Sequence, residues 1–81
     1  MEFAFGTKLI CDNGYTYTVK KSNNEMYDCC LTDELGQVVE YYQNYYLVEA
    51  YKEGWRICIG RDENGELEYT LILDIQEVNN E

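Results

Sequence analysis

The pair of side chains whose spacing best suits acid–base chemistry is Glu66 with Glu68. At alternate positions of a strand both carboxylates point to one face, about 7 Å apart at the usual strand rise. General acid–base catalysis also needs neighbours that tune the pKa values of such groups, and the sequence supplies no obvious set. The chain has no His, so Ser-His-Asp, Cys-His and His-ligated metal sites are excluded. It also has no Gly-rich phosphate loop or nucleophile motif. We therefore expect no enzymatic activity and interpret the two glutamates as part of a solvated strand face.

The four cysteines do not show the spacing of a metal site, which favours ligand pairs separated by two residues. Cys29 and Cys30 are adjacent, so in a strand they point to opposite faces. We interpret the cysteines as small apolar packing residues, with Cys30 facing solvent; a disulfide between Cys11 and Cys29 and a structural metal remain open alternatives. The acidic segment at residues 62–66 lacks the ligand spacing of a calcium loop. No metal or cofactor is expected.

The element that must position the acidic residues is a hairpin over residues 55–75. Its turn, at residues 62–65, contains Asn-Gly, which favours a turn with positive φ at both central residues. Alternation then predicts an inner face that supplies half of the core and an outer face that is polar. The predicted inner residues are Trp55, Ile57, Ile59, Leu67, Tyr69, Leu71, Leu73 and Ile75. The predicted outer residues are Arg56, Cys58, Glu66, Glu68, Thr70 and Asp74, with Ile72 as an apolar exception.

The remaining segments predict two more hairpins. Residues 7–12 and 15–20 flank a second Asn-Gly turn, and residues 26–32 and 37–42 flank a turn that ends in Gly36. Within these strands, alternation places Tyr15, Tyr17 and Val19 on one face and Thr16, Thr18 and Lys20 on the other. It also places Tyr27, Cys29 and Leu31 in the core and Asp28 and Cys30 outside. Residues 43–53 fit either a helix or a strand; a short helix is slightly favoured because Gly54 is a natural helix stop.

These elements predict one domain over residues 1–81, with residues 78–81 as a frayed tail. The fold class is all-β, or mostly β with one short helix: five to seven short antiparallel strands in a meander, bent into a small barrel. In element lengths this architecture resembles a Src-homology-3-like barrel, a likeness that implies nothing about function. The start of the chain is unlike a signal peptide, and no apolar run reaches the length of a membrane span. A cytoplasmic location is expected.

The net charge of −10 indicates what the domain does not bind. Nucleic acids and anionic membranes are recognised through Lys and Arg, so neither is an expected partner. The acidity serves either solubility alone or attraction to a basic protein surface. For the second alternative, carboxylates at alternate strand positions would form one acidic row. The candidate partner-binding acids are Asp62, Glu63, Glu66, Glu68 and Asp74 on the hairpin, with Glu40, Asp28 and Glu49 nearby.

In size, acidity, tyrosine content and lack of a catalytic set, the chain resembles the small acidic inhibitors that phages make against host nucleases. These include anti-CRISPR proteins and DNA-mimic anti-restriction proteins. The resemblance is one of composition; such families share no motif, so it assigns no role to any residue. It implies a non-enzymatic, protein-binding inhibitor that acts in the host cytoplasm by occupying the basic nucleic-acid-binding surface of a nuclease.

The tyrosines at residues 41–46 support an alternative function. A single element cannot bury all four on one side, so some must be exposed, and tyrosine is enriched at binding surfaces. They either cover the end of the barrel or anchor a partner or a homodimer, which makes residues 41–51 the surface of a general interaction or self-assembly module. The four residues are Tyr41, Tyr42, Tyr45 and Tyr46.

Overall fold

A computed structural model describes residues 3–43, 47 and 54–78, and the backbone of residues 49–51. All of its regular elements are β-strands, and none of the described residues belongs to a helix that could cross a membrane. The seven strands are β1 (Lys8–Cys11), β2 (Thr16–Lys21), β3 (Cys29–Thr32), β4 (Val38–Tyr42), β5 (Glu49–Tyr51), β6 (Gly54–Arg61) and β7 (Leu67–Gln76).

The strands form one antiparallel sheet in the order β4-β3-β2-β1-β7-β6-β5. Every neighbouring pair is consecutive in sequence except β1 with β7. The chain is therefore a meander whose first and last strands pair, which rolls the sheet into a barrel that stays open between β4 and β5. Across this opening β4 and β6 approach each other, since a Cβ atom at Gly60 would lie 3.3 Å from the carbonyl oxygen of Val39. The predicted small Src-homology-3-like barrel is confirmed.

The ten-residue strand β7 connects the two halves of the barrel. Its first half, residues 67–71, pairs with β6, and its second half, residues 72–76, pairs with β1. Between the halves, Ile10 pairs with Asp74 and Cys11 with Ile72, so Leu73 is an extra residue on β7. This β-bulge shifts the alternation of side chains by one position.

The inner face of β7 was predicted wrongly because of this bulge. Thr70 is buried and lies opposite the buried Ile57, and Ile72 packs against the core. Leu67, Tyr69 and Leu71 therefore point outward, and only beyond the bulge does Ile75 return to the core side. The apolar alternation from residue 67 to residue 75 is real, but most of it lies on the outer face.

The core is drawn from all parts of the barrel instead of half from the last hairpin. Its buried apolar residues are Phe3, Leu9, Cys11, Tyr17, Val19, Cys29, Leu31, Leu47 and Ile57, with Val39, Tyr42, Ile59, Ile72 and Ile75 packed against them. This confirms the inward placement of Cys29, Leu31 and Ile57. Tyr17 and Val19 are both buried, as their predicted shared face requires, but Tyr15, which was assigned to the same face, is 58% exposed because it lies before the start of β2.

Three other burial predictions are wrong. Trp55 is 41% exposed, because it lies at the start of β6 beside the three-residue strand β5. Cys30 is only 4% exposed although it faces away from the core; it pairs with Tyr41, whose ring stacks on that of Tyr27 at 5.7 Å. Tyr27 precedes β3 and lies on this outer side, so it does not enter the core.

The hairpin turns follow a local pattern different from the predicted one. Asp62 accepts hydrogen bonds through Oδ1 from the backbone N–H groups of Asn64 (2.8 Å) and Glu66 (3.0 Å), and Asp33 does the same for Leu35 and Gln37. Positive φ occurs only at glycine among the described residues, so Asn64 does not adopt it. Both turns thus consist of an aspartate that caps the turn and a left-handed glycine three residues later.

The segment at residues 43–53 contains β5, so the slightly favoured helix is wrong at residues 49–51 and the strand alternative holds there. Leu47 is 1% exposed and contributes to the core. Residues 44–46, 48, 52 and 53 lie outside the described part of the chain, as do residues 79–81 of the predicted tail.

Candidate partner-binding surface

The turn between β6 and β7 places three exposed carboxylates within five residues. We call residues 62–66 the acidic turn; its carboxylates belong to Asp62, Glu63 and Glu66. The backbone closes through bonds from Asp62 N to Glu66 O (2.9 Å) and from Gly65 N to Asp62 O (3.0 Å), which fixes where these side chains begin. Arg61 donates to the carbonyl oxygen of Gly65 at 2.6 Å. None of the three carboxylates forms an ion pair with another described residue. Oδ1 of Asp62 accepts the backbone N–H groups of Asn64 and Glu66 inside the turn, so Glu63 and Glu66 are the carboxylates whose charge faces solvent.

The acids farther along β7 do not continue this turn as one row. Glu68 lies on the same face of β7 as the buried Thr70. Burial of the phenol is the main cause of the raised pKa of Tyr17, and the charge of Glu68 raises this pKa further. Asp74 lies beyond the bulge, opposite Ile10 on the outer face, and both acids are exposed. Glu68 and Asp74 therefore point to opposite sides of the strand.

The other predicted acids come from segments outside the hairpin, although Glu49 on β5 pairs with Arg56 of β6. Glu40 is half-buried on β4, and its Oε1 accepts a hydrogen bond from the backbone N–H of Tyr41 at 3.0 Å. Asp28 lies just before β3, and its backbone N–H donates to the carbonyl oxygen of Tyr42. Glu49 lies on β5. Among the predicted acids whose side chains the structure describes, those of the acidic turn lie together.

The outer side of β7 is a second candidate surface, one that the sequence pattern did not indicate. Leu67 is 47% exposed, Tyr69 36% and Leu73 68%, and Leu71 is half-buried between them. We call these four residues the β7 outer stripe. The guanidinium of Arg56 lies 3.9 Å from the centre of the Tyr69 ring, a cation–π contact that orients the ring. The apolar residue Ile72, out of phase with its neighbours, was the one sequence signal that the alternation changes faces.

The described tyrosines do not form one exposed patch. Tyr42 packs against the core, and its hydroxyl oxygen is buried without a hydrogen-bond partner among the described residues. Burial, followed by the neighbouring Cys58, holds the pKa of Tyr42 far above its usual range. Tyr41 lies on the other side of β4 and stacks on Tyr27. The remaining two predicted residues, Tyr45 and Tyr46, lie outside the described part of the chain.

The cysteines are free thiols, and burial raises the pKa values of three of them, Cys11, Cys29 and Cys30. Burial and the adjacent carboxylate of Asp12 raise the pKa of Cys11 to about 11. Burial also raises the pKa of Cys29 to about 11. A thiol with a raised pKa is a poor nucleophile at neutral pH. Within the described residues, no group of three or more potential metal-ligating side chains comes together.

A groove of about 650 Å³ crosses the outer faces of β1, β2 and β3. Lys8 and Lys20 line it together with Thr16 and Thr18, and the turn at residues 33–36 borders it. Glu34 at this border accepts a hydrogen bond from the backbone N–H of Thr16 at 2.9 Å. The basic side chains on β1 and β2 are thus separated in the fold from the acidic turn.

Comparison with protein-family models, curated proteins and solved structures finds no match to this chain. The candidate surface therefore has to be interpreted from its own chemistry.

Proposed function

We propose that this domain is a non-enzymatic, protein-binding inhibitor that occupies a basic surface of its partner, namely the nucleic-acid-binding surface of a host nuclease. In the finer version of this proposal the domain is of phage origin and has anti-CRISPR or DNA-mimic character. The observation that carries the proposal is the acidic turn, with three exposed carboxylates held by a fixed backbone at the tip of the longest hairpin.

Charge and position both support this function. The net charge of −10 repels nucleic acid and attracts cationic surfaces over the Debye length of about 8 Å at physiological ionic strength. The carboxylates of Glu63 and Glu66 are exposed at a turn between two strands, where a basic surface can approach them. An inhibitor of this kind needs no catalytic residues.

The experiment is affinity capture from a bacterial lysate at low and at high salt, with partners identified by mass spectrometry. We expect a nucleic-acid-binding protein that high salt releases. The double variant Glu63→Lys with Glu66→Lys should no longer capture this partner protein. The matched control, Glu25→Lys with Glu77→Lys, makes the same change in net charge at exposed positions outside the turn and should keep it.

Two results would contradict the proposal. If both double variants lose the partner equally, net charge matters and the acidic turn does not. If the partner resists high salt and is unaffected by either variant, binding is not electrostatic. The second result would favour the alternative module that uses residues 41–51.

A further inference from the structure

We infer that the β7 outer stripe is a docking site for a basic amphipathic helix of a partner protein. The inference rests on the proposed function, because it names the chemistry of the partner surface that the acidic turn would approach.

The first observation is that the stripe is apolar, continuous and uncovered by the described residues. Leu67, Tyr69 and Leu73 are each more than a third exposed, and they lie in a row on the longest strand. Contiguous apolar patches of this kind are uncommon on monomeric domains and mark interaction sites. The contact of Arg56 with Tyr69 adds a fixed aromatic ring, the residue type that dominates binding at interface centres.

The second observation concerns the shape of the occupant. From residue 67 to residue 73 the strand rises about 20 Å, a length that about 13 residues of helix span. The barrel buries its inner face by closing on itself, so the outer stripe is covered only if a partner supplies a helix or a second sheet. A second sheet needs a broad apolar face, and here β6 contributes Arg56 and Cys58 beside the stripe. A helix with one apolar side fits the narrow stripe better.

The third observation selects the charge of the occupant and excludes a second copy. The stripe has the acidic turn at one end and Asp74 at the other. Arg61 pairs with Leu67 and Arg56 with Leu71 along its β6 side, so the four acids at the two ends outnumber these two basic residues. In a two-fold dimer formed by antiparallel stripes, the acidic turn of each copy would meet Asp74 of the other. Like charges placed opposite each other are unfavourable, and each copy also carries −10. An occupant with basic residues at both ends of its apolar side satisfies both acidic ends.

The test uses a synthetic 16-residue peptide of leucine and lysine, with the leucines on one helical side and lysines at both ends. Two control peptides are a scrambled sequence of the same composition and an oligolysine of the same charge. Titration of the ¹⁵N-labelled domain, followed by NMR, measures affinity and location together. We expect the amphipathic peptide to bind at least tenfold more tightly than either control, with the largest shifts at residues 67–73.

Variants separate the stripe from general hydrophobicity. Leu67→Ser with Leu73→Ser should weaken the amphipathic peptide at least tenfold. The matched control, Met26→Ser with Leu35→Ser, removes two apolar side chains that are even more exposed and lie elsewhere, and it should change nothing. Unchanged amide spectra outside the mutated positions confirm that both variants are folded.

Each other outcome has a distinct meaning. Equal affinity for the amphipathic peptide and oligolysine, with shifts confined to residues 62–66, overturns the inference and leaves the proposed function standing. No binding of any cationic peptide at low salt overturns both. Sedimentation that shows a dimer, abolished by Leu67→Ser with Leu73→Ser, makes a second copy the occupant and overturns the inference.

Discussion

The hydroxyl group of Thr70 donates a hydrogen bond of 2.8 Å to the carboxylate of Asp12, a residue 58 positions earlier in the chain. The same carboxylate oxygen accepts from the backbone N–H of Leu71 at 3.1 Å, and the N–H of Asp12 donates to the carbonyl oxygen of Leu71 at 2.9 Å. Asp12 thereby provides the hydrogen-bond acceptor for Thr70, the buried polar side chain of β7. Because Thr70 points inward, Leu71 and its neighbours in the stripe point outward.

The first prediction tests this pair. Asp12→Ala removes the acceptor of a buried hydroxyl, and leaving such a group unpaired costs about 1–3 kcal/mol of unfolding free energy. Thr70→Val removes the donor. In a double-mutant cycle measured by denaturant unfolding, the two changes should couple by about 0.5–3 kcal/mol. Additive effects would mean that the two side chains do not interact.

The second prediction concerns the opening of the barrel. Gly60 has φ of +109°, and a Cβ atom there would press on the carbonyl oxygen of Val39. Gly60→Ala should therefore lower the free energy of unfolding by about 1–3 kcal/mol. Gly36→Ala is the control, since Gly36 has a positive φ but open space around it. If the two variants are equally destabilised, the approach of β4 to β6 contributes nothing.

The third prediction is a stabilising substitution. Thr7 is fully buried, and its Oγ1 has no hydrogen-bond partner among the described residues. Thr7→Val keeps the shape and removes the unpaired hydroxyl, so it should raise the free energy of unfolding by about 1 kcal/mol. The measurement is the free energy of unfolding by chemical denaturation. Thr70→Val is measured in parallel as the control, because the hydroxyl of Thr70 is hydrogen-bonded and its removal should destabilise the domain. A destabilised Thr7→Val protein would show that Oγ1 has a partner after all.

The fourth prediction is the dependence of stability on pH. The pKa values of Cys11 and Cys29 are raised from about 9 to about 11, so the native state binds more protons than the unfolded state between these values. The stability that protonated thiols contribute is complete below pH 9 and is lost as the pH rises towards 11. Unfolding free energies measured from pH 8 to pH 10 should fall. In the variant with Cys11→Ala and Cys29→Ala, the unfolding free energy should depend much less steeply on pH. If the pH dependence equals that of the unmodified domain, other groups cause it.

The features that could be predicted from sequence are those fixed by neighbours in the chain. The barrel, its hairpins and the acidic turn follow from strand alternation and from Asp followed three residues later by Gly. The orientation of β7 could not be predicted in the same way. An apolar residue at every second position from Leu67 to Ile75 is what a buried face would show, and only the contact with Asp12 and the bulge at Leu73 reverse it. The stripe was therefore assigned to the core.

The burial of Cys30 illustrates the same limit. Its neighbours in sequence correctly predict which face of β3 it occupies, but its exposure depends on an aromatic ring from β4 that stacks on Tyr27. Whether an outward-facing side chain meets solvent depends on what a distant segment places over it. The residues next to Cys30 in the sequence carry no information about which distant side chain packs over it.

The central claim is that the residues of the β7 outer stripe face outward, and two adjacent residues of β7 test it most directly. Leu73 is exposed in the bulge, whereas Ile72 packs against the core. Measured by urea unfolding, Leu73→Ser should change the free energy of unfolding by less than about 0.5 kcal/mol. Ile72→Ser should lower it by about 2 kcal/mol or more. The opposite ranking, with Leu73→Ser the more damaging, would return the stripe to the core and contradict the account.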